Sequence, residues 1–250
     1  MFAPARCAAV FAVLSAVAVS AQTATTPANQ KYMFVETVIR LDARTAYEGT
    51  LKAYCAAIVK GGARECNVYS TALFGNAGSF VIVVPFDKYA HYDEGTFFSK
   101  GASSEEQKRI MTDRAKAEIS VDGSSINFIA GLSINSDKTP RYLHVTEIHV
   151  RPGMQQGFYD DVEKILLPAA KKAGLADYWT FKTLQGNNPD RMFSIIPIEH
   201  YADLDKGNPL FAAMGKENFA TFQQHTATYT EKVSYSIVEH RKELSASAAK

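Results

Sequence analysis

Apolar and polar positions alternate over residues 34–41 and again over 143–150, the period of strands with one face buried. The second run is closed by Arg151-Pro152-Gly153. Behind each run the period changes to that of a helix. Tyr47, Leu51, Tyr54, Cys55 and Ile58 share one helical face, as do Phe158, Val162, Ile165, Leu166 and Ala169. Pro168 predicts a kink near the end of the second helix. Two further strands follow in each region, 66–73 with 79–84 and 178–184 with 192–196, each pair joined at a Gly-Asn turn. Second helices are predicted from Ser103, which has capping-box spacing to Glu106, and from Lys216. Last strands are predicted over 125–134 and 233–240.

This recurrence of elements is also a recurrence of sequence. VPFDKYAHYDEG from Val84 returns as IPIEHYADLDKG from Ile196, 112 positions later. A shift of 111 sets Glu36 against Glu147, Tyr47 against Phe158, and LFGN from Leu73 against LQGN from Leu184. The same shift sets Val38 against His149 and Val68 against Trp179. Several matches at one offset indicate an internal duplication. The predicted fold is α+β: two ferredoxin-like βαββαβ repeats whose antiparallel sheets pack face to face as a pseudo-twofold α/β barrel, with a ligand space between the sheets. The boundaries read 32–135 for the first repeat, 136–141 for a linker and 142–240 for the second.

The ends carry different signals. Residues 1–21 place Arg6 ahead of an apolar stretch over 7–19 and a small-residue cleavage site at Val19-Ser20-Ala21, the pattern of a secretory signal peptide. The stretch is shorter than the roughly 20 apolar residues that span a bilayer. A polar leader is expected over 22–31 and a frayed tail over 241–250. The expected location is therefore periplasmic or secreted, with no membrane contact after cleavage. Without Arg6, 26 basic face 26 acidic side chains with no basic block, which removes the electrostatic footprint of a nucleic-acid binder. Cys55 and Cys66 remain after cleavage, either as a disulfide suited to an oxidising compartment or as two buried thiols.

The strand HVTEIHVRPG, the segment GLADYWTFKTLQGN and the phrase IPIEHYADLDKG resemble the dimeric α/β-barrel superfamily, here in tandem within one chain, and within it the NIPSNAP-like branch. The first repeat departs from that pattern with Leu41-Asp42-Ala43 where the second has Arg151-Pro152-Gly153. The resemblance implies a barrel that hosts cofactor-independent monooxygenases, haem enzymes and proteins without known chemistry, among which fold alone does not choose.

Side-chain alternation points Val145, Glu147 and His149 between the sheets, with Glu36 in the matching place. Glu147 and His149 are the candidate catalytic pair, an acid/base couple two residues apart on one strand; the alternative is that they satisfy each other at a wet barrel mouth. Buried glutamates need partners or water, which applies to Glu36 as well. Trp179, Phe181, Tyr178 and Tyr235 are candidates for an aromatic wall, or for ordinary core, and His240 is a further candidate contact. His225 is the one candidate haem ligand; no metal site is otherwise expected, and no cofactor is required. GxSxG, P-loop, HExxH and dinucleotide-glycine patterns are absent. The favoured reading is an exported protein, monomeric or weakly dimeric, that holds an apolar or aromatic small molecule. The alternatives are a cofactor-independent monooxygenase or isomerase using Glu147 and His149, or a haem-binding enzyme.

Overall fold

A computed structural model describes residues 29–136 and 138–248. The proposed signal peptide and most of the leader lie outside the described residues. Gln30 and Lys31, read as leader, belong to the fold: Lys31 opens a strand, and the buried Gln30 amide donates to the Phe86 carbonyl.

The first half runs β1 (Lys31–Ile39), α1 (Arg44–Lys60), β2 (Glu65–Leu73), β3 (Ser79–Phe86), α2 (Phe97–Gly101), α3 (Ser104–Ala117) and β4 (Glu118–Phe128). The second runs β5 (Tyr142–Val150), α4 (Gln155–Asp161), a π-helical turn (Val162–Leu166), α5 (Leu167–Lys172), β6 (Trp179–Gln185), β7 (Arg191–Ile198), α6 (Pro209–Met214), α7 (Lys216–Tyr229), β8 (Thr230–His240) and the short β9 (Ala246–Ser247). Ser103 caps α3 with its hydroxyl while Glu106 returns to the Ser103 amide, the capping box its spacing implied. Pro168 sits in the first turn of α5, directly after the π turn; it cannot donate a helical hydrogen bond, and the widened turn accommodates the missing one.

The expected pair of ferredoxin-like units with two sheets stacked face to face is corrected by the strand pairing. Strand order is β3-β1-β4-β6-β7-β5-β8-β2, and β2 returns to β3, so eight antiparallel strands close one barrel with the helices outside. Two seams join the halves edge to edge: β4 with β6, where Phe128 faces Phe181, and β2 with β8, where Tyr69 faces His240. Two separate sheets would leave four edges with unpaired backbone groups, and closure satisfies them. At the β4–β6 seam Gly186 has φ +134°, and a Cβ there would lie 2.6 Å from the Ser124 Cβ, so only glycine lets the strands approach.

Each half keeps its own core outside the barrel wall. In the first, Tyr47, Leu51, Cys55 and Ile58 pack on Val68, Phe80, Ile82 and Val84. In the second, Phe158, Val162, Leu166 and Ala170 pack on Ile148, Val150, Met192 and Ile196. The last strand of the first half begins seven residues earlier than its apolar pattern suggested. α3 passes directly into β4, whose mixed stretch over 118–124 pairs with β1, while Ala130–Leu132 form a 3₁₀ turn. Residues 241–248 of the expected tail are not frayed either. Leu244 inserts into the first core, Arg241 bonds Glu48 at 2.9 Å, and β9 pairs with β2. The second half thereby fastens its C-terminal segment onto the first.

Cys55 and Cys66 are both fully buried and form the disulfide, joining α1 to β2. A bridge over a separation of 11 residues constrains the unfolded chain by about 2–3 kcal/mol. A Cys55→Ala/Cys66→Ala variant should lose about that much in urea unfolding at unchanged m-value; unchanged stability would show that the bridge does not constrain the unfolded chain.

Candidate active site

The interior of the barrel is a cavity of about 1180 Å³. Odd and even positions divide as pleating requires: on β1, Tyr32, Phe34 and Glu36 line the cavity, while Met33, Val35 and Ile39 pack under the helices. On β5, Leu143, Val145 and Glu147 line it and Ile148 and Val150 do not. Aromatic side chains from both halves meet inside. Phe34 reaches Phe193 at 5.4 Å between ring centroids, Tyr32 reaches Phe181 at 5.9 Å, and Phe128 reaches Phe181 at 5.4 Å. One end carries exposed lining residues, Arg64 and Lys138 among them, together with Ser247 and Ala248 of the C-terminal segment. That end is the mouth.

The charged group lies toward the other end and has Arg191 at its centre. The side chain is 6% exposed; Nη1 donates to Glu36 Oε2 at 2.5 Å and stands 3.7 Å from Glu147 Oε1. Its guanidinium lies over the rings of Phe34 and Phe193, at 5.4 and 5.1 Å. His149 Nε2 is 2.7 Å from Glu147 Oε1; Glu147 lines the cavity and His149, two residues on along β5, does not. Burial lifts the Glu36 carboxyl above its ordinary value of 4.5; Arg191 pulls it down and the charge of Glu147 adds to the rise, and burial prevails.

The pairing register shows how the duplication was broken here. Val38 faces Ser79 on β3 as His149 faces Arg191 on β7. Both halves supply a glutamate, but only the second supplies the arginine and the histidine. The register also revises one sequence match: Asn67 faces Val83 as Trp179 faces Ile195, so Trp179 corresponds to Asn67, and both line the cavity. A bulge between Thr71 and Leu73 accounts for the offset.

Of the expected contacts, Glu36, Trp179 and Phe181 line the cavity beside Glu147. The Trp179 indole N–H is buried with no acceptor among the described residues. Tyr178 is fully buried in the second core, its hydroxyl accepting from Ser194, so it is no part of an aromatic wall. Tyr235 is 57% exposed and stacks on His144 outside the lining. Its position on β8 alternates with that of Ser236, which does line the cavity. His240 lies behind Tyr69, 5.1 Å between rings, with Ser245 Oγ 3.2 Å from its Nε2; burial lowers its pKa.

His225 lies on α7, and its Nδ1 is engaged by the carboxylate of the buried Asp161, which also accepts from Tyr229 at 2.7 Å. This cluster ties α7 to α4 and does not line the barrel cavity. Among the described residues no group of three or more His, Cys, Asp or Glu is placed to hold a metal ion. Arg191 escaped the sequence reading because it follows the GNNPD turn. The available signal was the need of two inward-facing glutamates for a cation.

No protein-family model matches the sequence, and no curated protein is similar to it in sequence. Solved structures do share the fold. An anthrone oxidase-like protein superposes with a TM-score of 0.63 at 12% identity, over 89% of this chain and 94% of that one. A candidate monooxygenase from Lactobacillus acidophilus gives 0.56 at 11% identity, over 88% and 96%. One from Fusobacterium nucleatum gives 0.56 at 11%, over 86% and 94%. These neighbours share the fold of this chain, whose barrel is closed by a single chain.

Two predictions follow from the charged group. Arg191→Met leaves two half-buried carboxylates without their cation and should cost about 1–3 kcal/mol in denaturant unfolding; a loss under about 0.5 kcal/mol would show the group to be effectively solvated. Because the folded-state pKa of Glu36 is raised, its contribution to stability is full below the unfolded value and is lost as pH rises through the folded one. The stability difference between wild type and Glu36→Gln should therefore shift in favour of the variant as pH rises from 4.5 toward neutrality. A pH-independent difference would contradict this.

Proposed function

We propose that the protein is a cofactor-independent oxygenase acting on a planar aromatic substrate held inside the barrel. The observation that carries this is the Glu147–His149 pair placed against an aromatic-lined cavity. At about 1180 Å³ the cavity exceeds the roughly 300–1,000 Å³ common for drug-sized ligands, and its aromatic walls suit stacking. A carrier without chemistry, the reading first favoured by the sequence, explains the walls but not the charges. Holding an apolar molecule does not need a carboxylate bonded to an imidazole, and burying such a group costs stability. The fold neighbours, which include candidate monooxygenases and an anthrone oxidase-like protein, agree with the catalytic reading.

The chemistry these residues suit begins with proton removal from an acidified C–H, such as a methylene between two aromatic rings beside a carbonyl. Glu147 accepts the proton and His149 relays it outward. The substrate carbanion then reacts with dioxygen to give a peroxide anion, which takes a proton back. Loss of the second C–H proton with cleavage of the O–O bond yields a ketone and water, so one methylene and one dioxygen become one carbonyl and one water. Arg191 offers positive charge near the developing anion. Because one chain closes the barrel, a monomer carries the complete site.

Export remains part of this proposal, supported by the pattern over 1–21 and by the buried disulfide, which suits an oxidising compartment. The likeness of the second half to the NIPSNAP-like branch also stands as a proposal, resting on its short motifs.

The test is dioxygen uptake with anthrone as probe. Turnover to the quinone is expected, with Glu147→Gln lowering kcat by about 10²–10⁴, His149→Ala by less, and Glu36→Gln least. Saturable binding of the probe without dioxygen uptake above the spontaneous rate would return the protein to the carrier class.

A further inference from the structure

A second cavity lies outside the barrel, in the first half, between the wall and the three helices. It holds about 150 Å³ and shares no lining residue with the barrel interior. Met33 from β1, Tyr54 and Ile58 from α1, Phe97 from α2 and Met111 from α3 line it, with Tyr92 from the connector after β3. Met33 points here because its neighbours Tyr32 and Phe34 point into the barrel. Core side chains normally interdigitate without voids of this size.

Two features set this space apart from a packing defect. The Tyr92 hydroxyl is buried with no hydrogen-bond partner among the described residues, and burial raises its pKa to about 12, so the group remains a neutral hydroxyl. The buried Arg114 guanidinium also lines the cavity, held in place by Glu118 at 2.7 Å and by the face of Tyr54 at 4.6 Å. Met111, at one side, is 48% exposed and offers a flexible way in. An apolar cavity of about 150 Å³ is known to take one benzene-sized guest. We infer that this cavity is a binding site for a single-ring phenol, whose ring fills the apolar space and whose hydroxyl pairs with Tyr92. The inference is independent of the oxygenase reading, since it involves neither the barrel interior nor its charged group.

The methionines give a direct test. Met33 and Met111 line this cavity, no methionine lines the barrel interior, and Met192 and Met214 lie in the second core. With ¹³C-methyl-labelled methionine in the full chain, titration with phenol should move the Met33 and Met111 resonances saturably and leave Met192 and Met214 in place. Met111→Trp, which fills the cavity from its exposed side, should abolish the Met33 response. Tyr92→Phe should weaken phenol about five- to tenfold while leaving benzene unchanged, the loss of one hydrogen bond. Absence of a saturable Met33 response, or its persistence in Met111→Trp, would overturn the site. Equal loss of phenol and benzene affinity in Tyr92→Phe would overturn the assignment of a phenol.

Discussion

The structure depends on one buried cation shared by two carboxylates. Arg191 joins Glu36 of the first half to the neighbourhood of Glu147 of the second, inside a barrel whose other lining is mainly aromatic and aliphatic. Such a group is costly to desolvate and needs partners to hold it. The rings of Phe34 and Phe193 flank the guanidinium and His149 bonds Glu147, while Arg191 Nε is buried with no hydrogen-bond partner among the described residues. Remove the arginine and the two glutamates become a pair of half-buried like charges.

Barrel closure makes the arrangement possible. Glu36 and Arg191 come from strands in different halves, and they meet because the β4–β6 and β2–β8 seams bring the two inner faces around one space. The C-terminal segment secures this closure, with Leu244 in the first core and Arg241 on Glu48. The disulfide stiffens the first half alone, where α1 meets β2. The two halves share one frame and differ at Val38/His149 and Ser79/Arg191, which makes the charged group asymmetric.

Much of this was legible in the residues, for reasons that can be named. The alternation on β1 and β5 states which side chains face inward, and it placed Glu36 and Glu147 correctly because a strand has a fixed period of two. The 111-residue shift between them also announced that both would face one space. Seam pairing was not legible, because backbone hydrogen bonds between halves leave no side-chain pattern; the sheets therefore read as stacked layers. β4 was misplaced because its start over 118–124 is mixed in character, with Ile119 and Val121 turned to solvent, while the apolar run after it proved to be a turn. Tyr178 and Tyr235 illustrate a limit of composition: an aromatic residue near a site lines it only if its parity on the strand is right. Arg191 was hidden beside a turn, although the electrostatics of two inward glutamates demanded a cation.

If the triad exists for chemistry and not for stability, it can be neutralised as a unit. The most direct measurement is the unfolding free energy of the triple variant Glu36→Gln/Arg191→Met/Glu147→Gln, compared with Arg191→Met alone and with wild type, alongside probe turnover. The account predicts that the triple variant regains most of the stability lost by the single one, because no buried charge is left unpaired, while turnover stays abolished. A triple variant as unstable as Arg191→Met, or one that still turns over the probe, would contradict it.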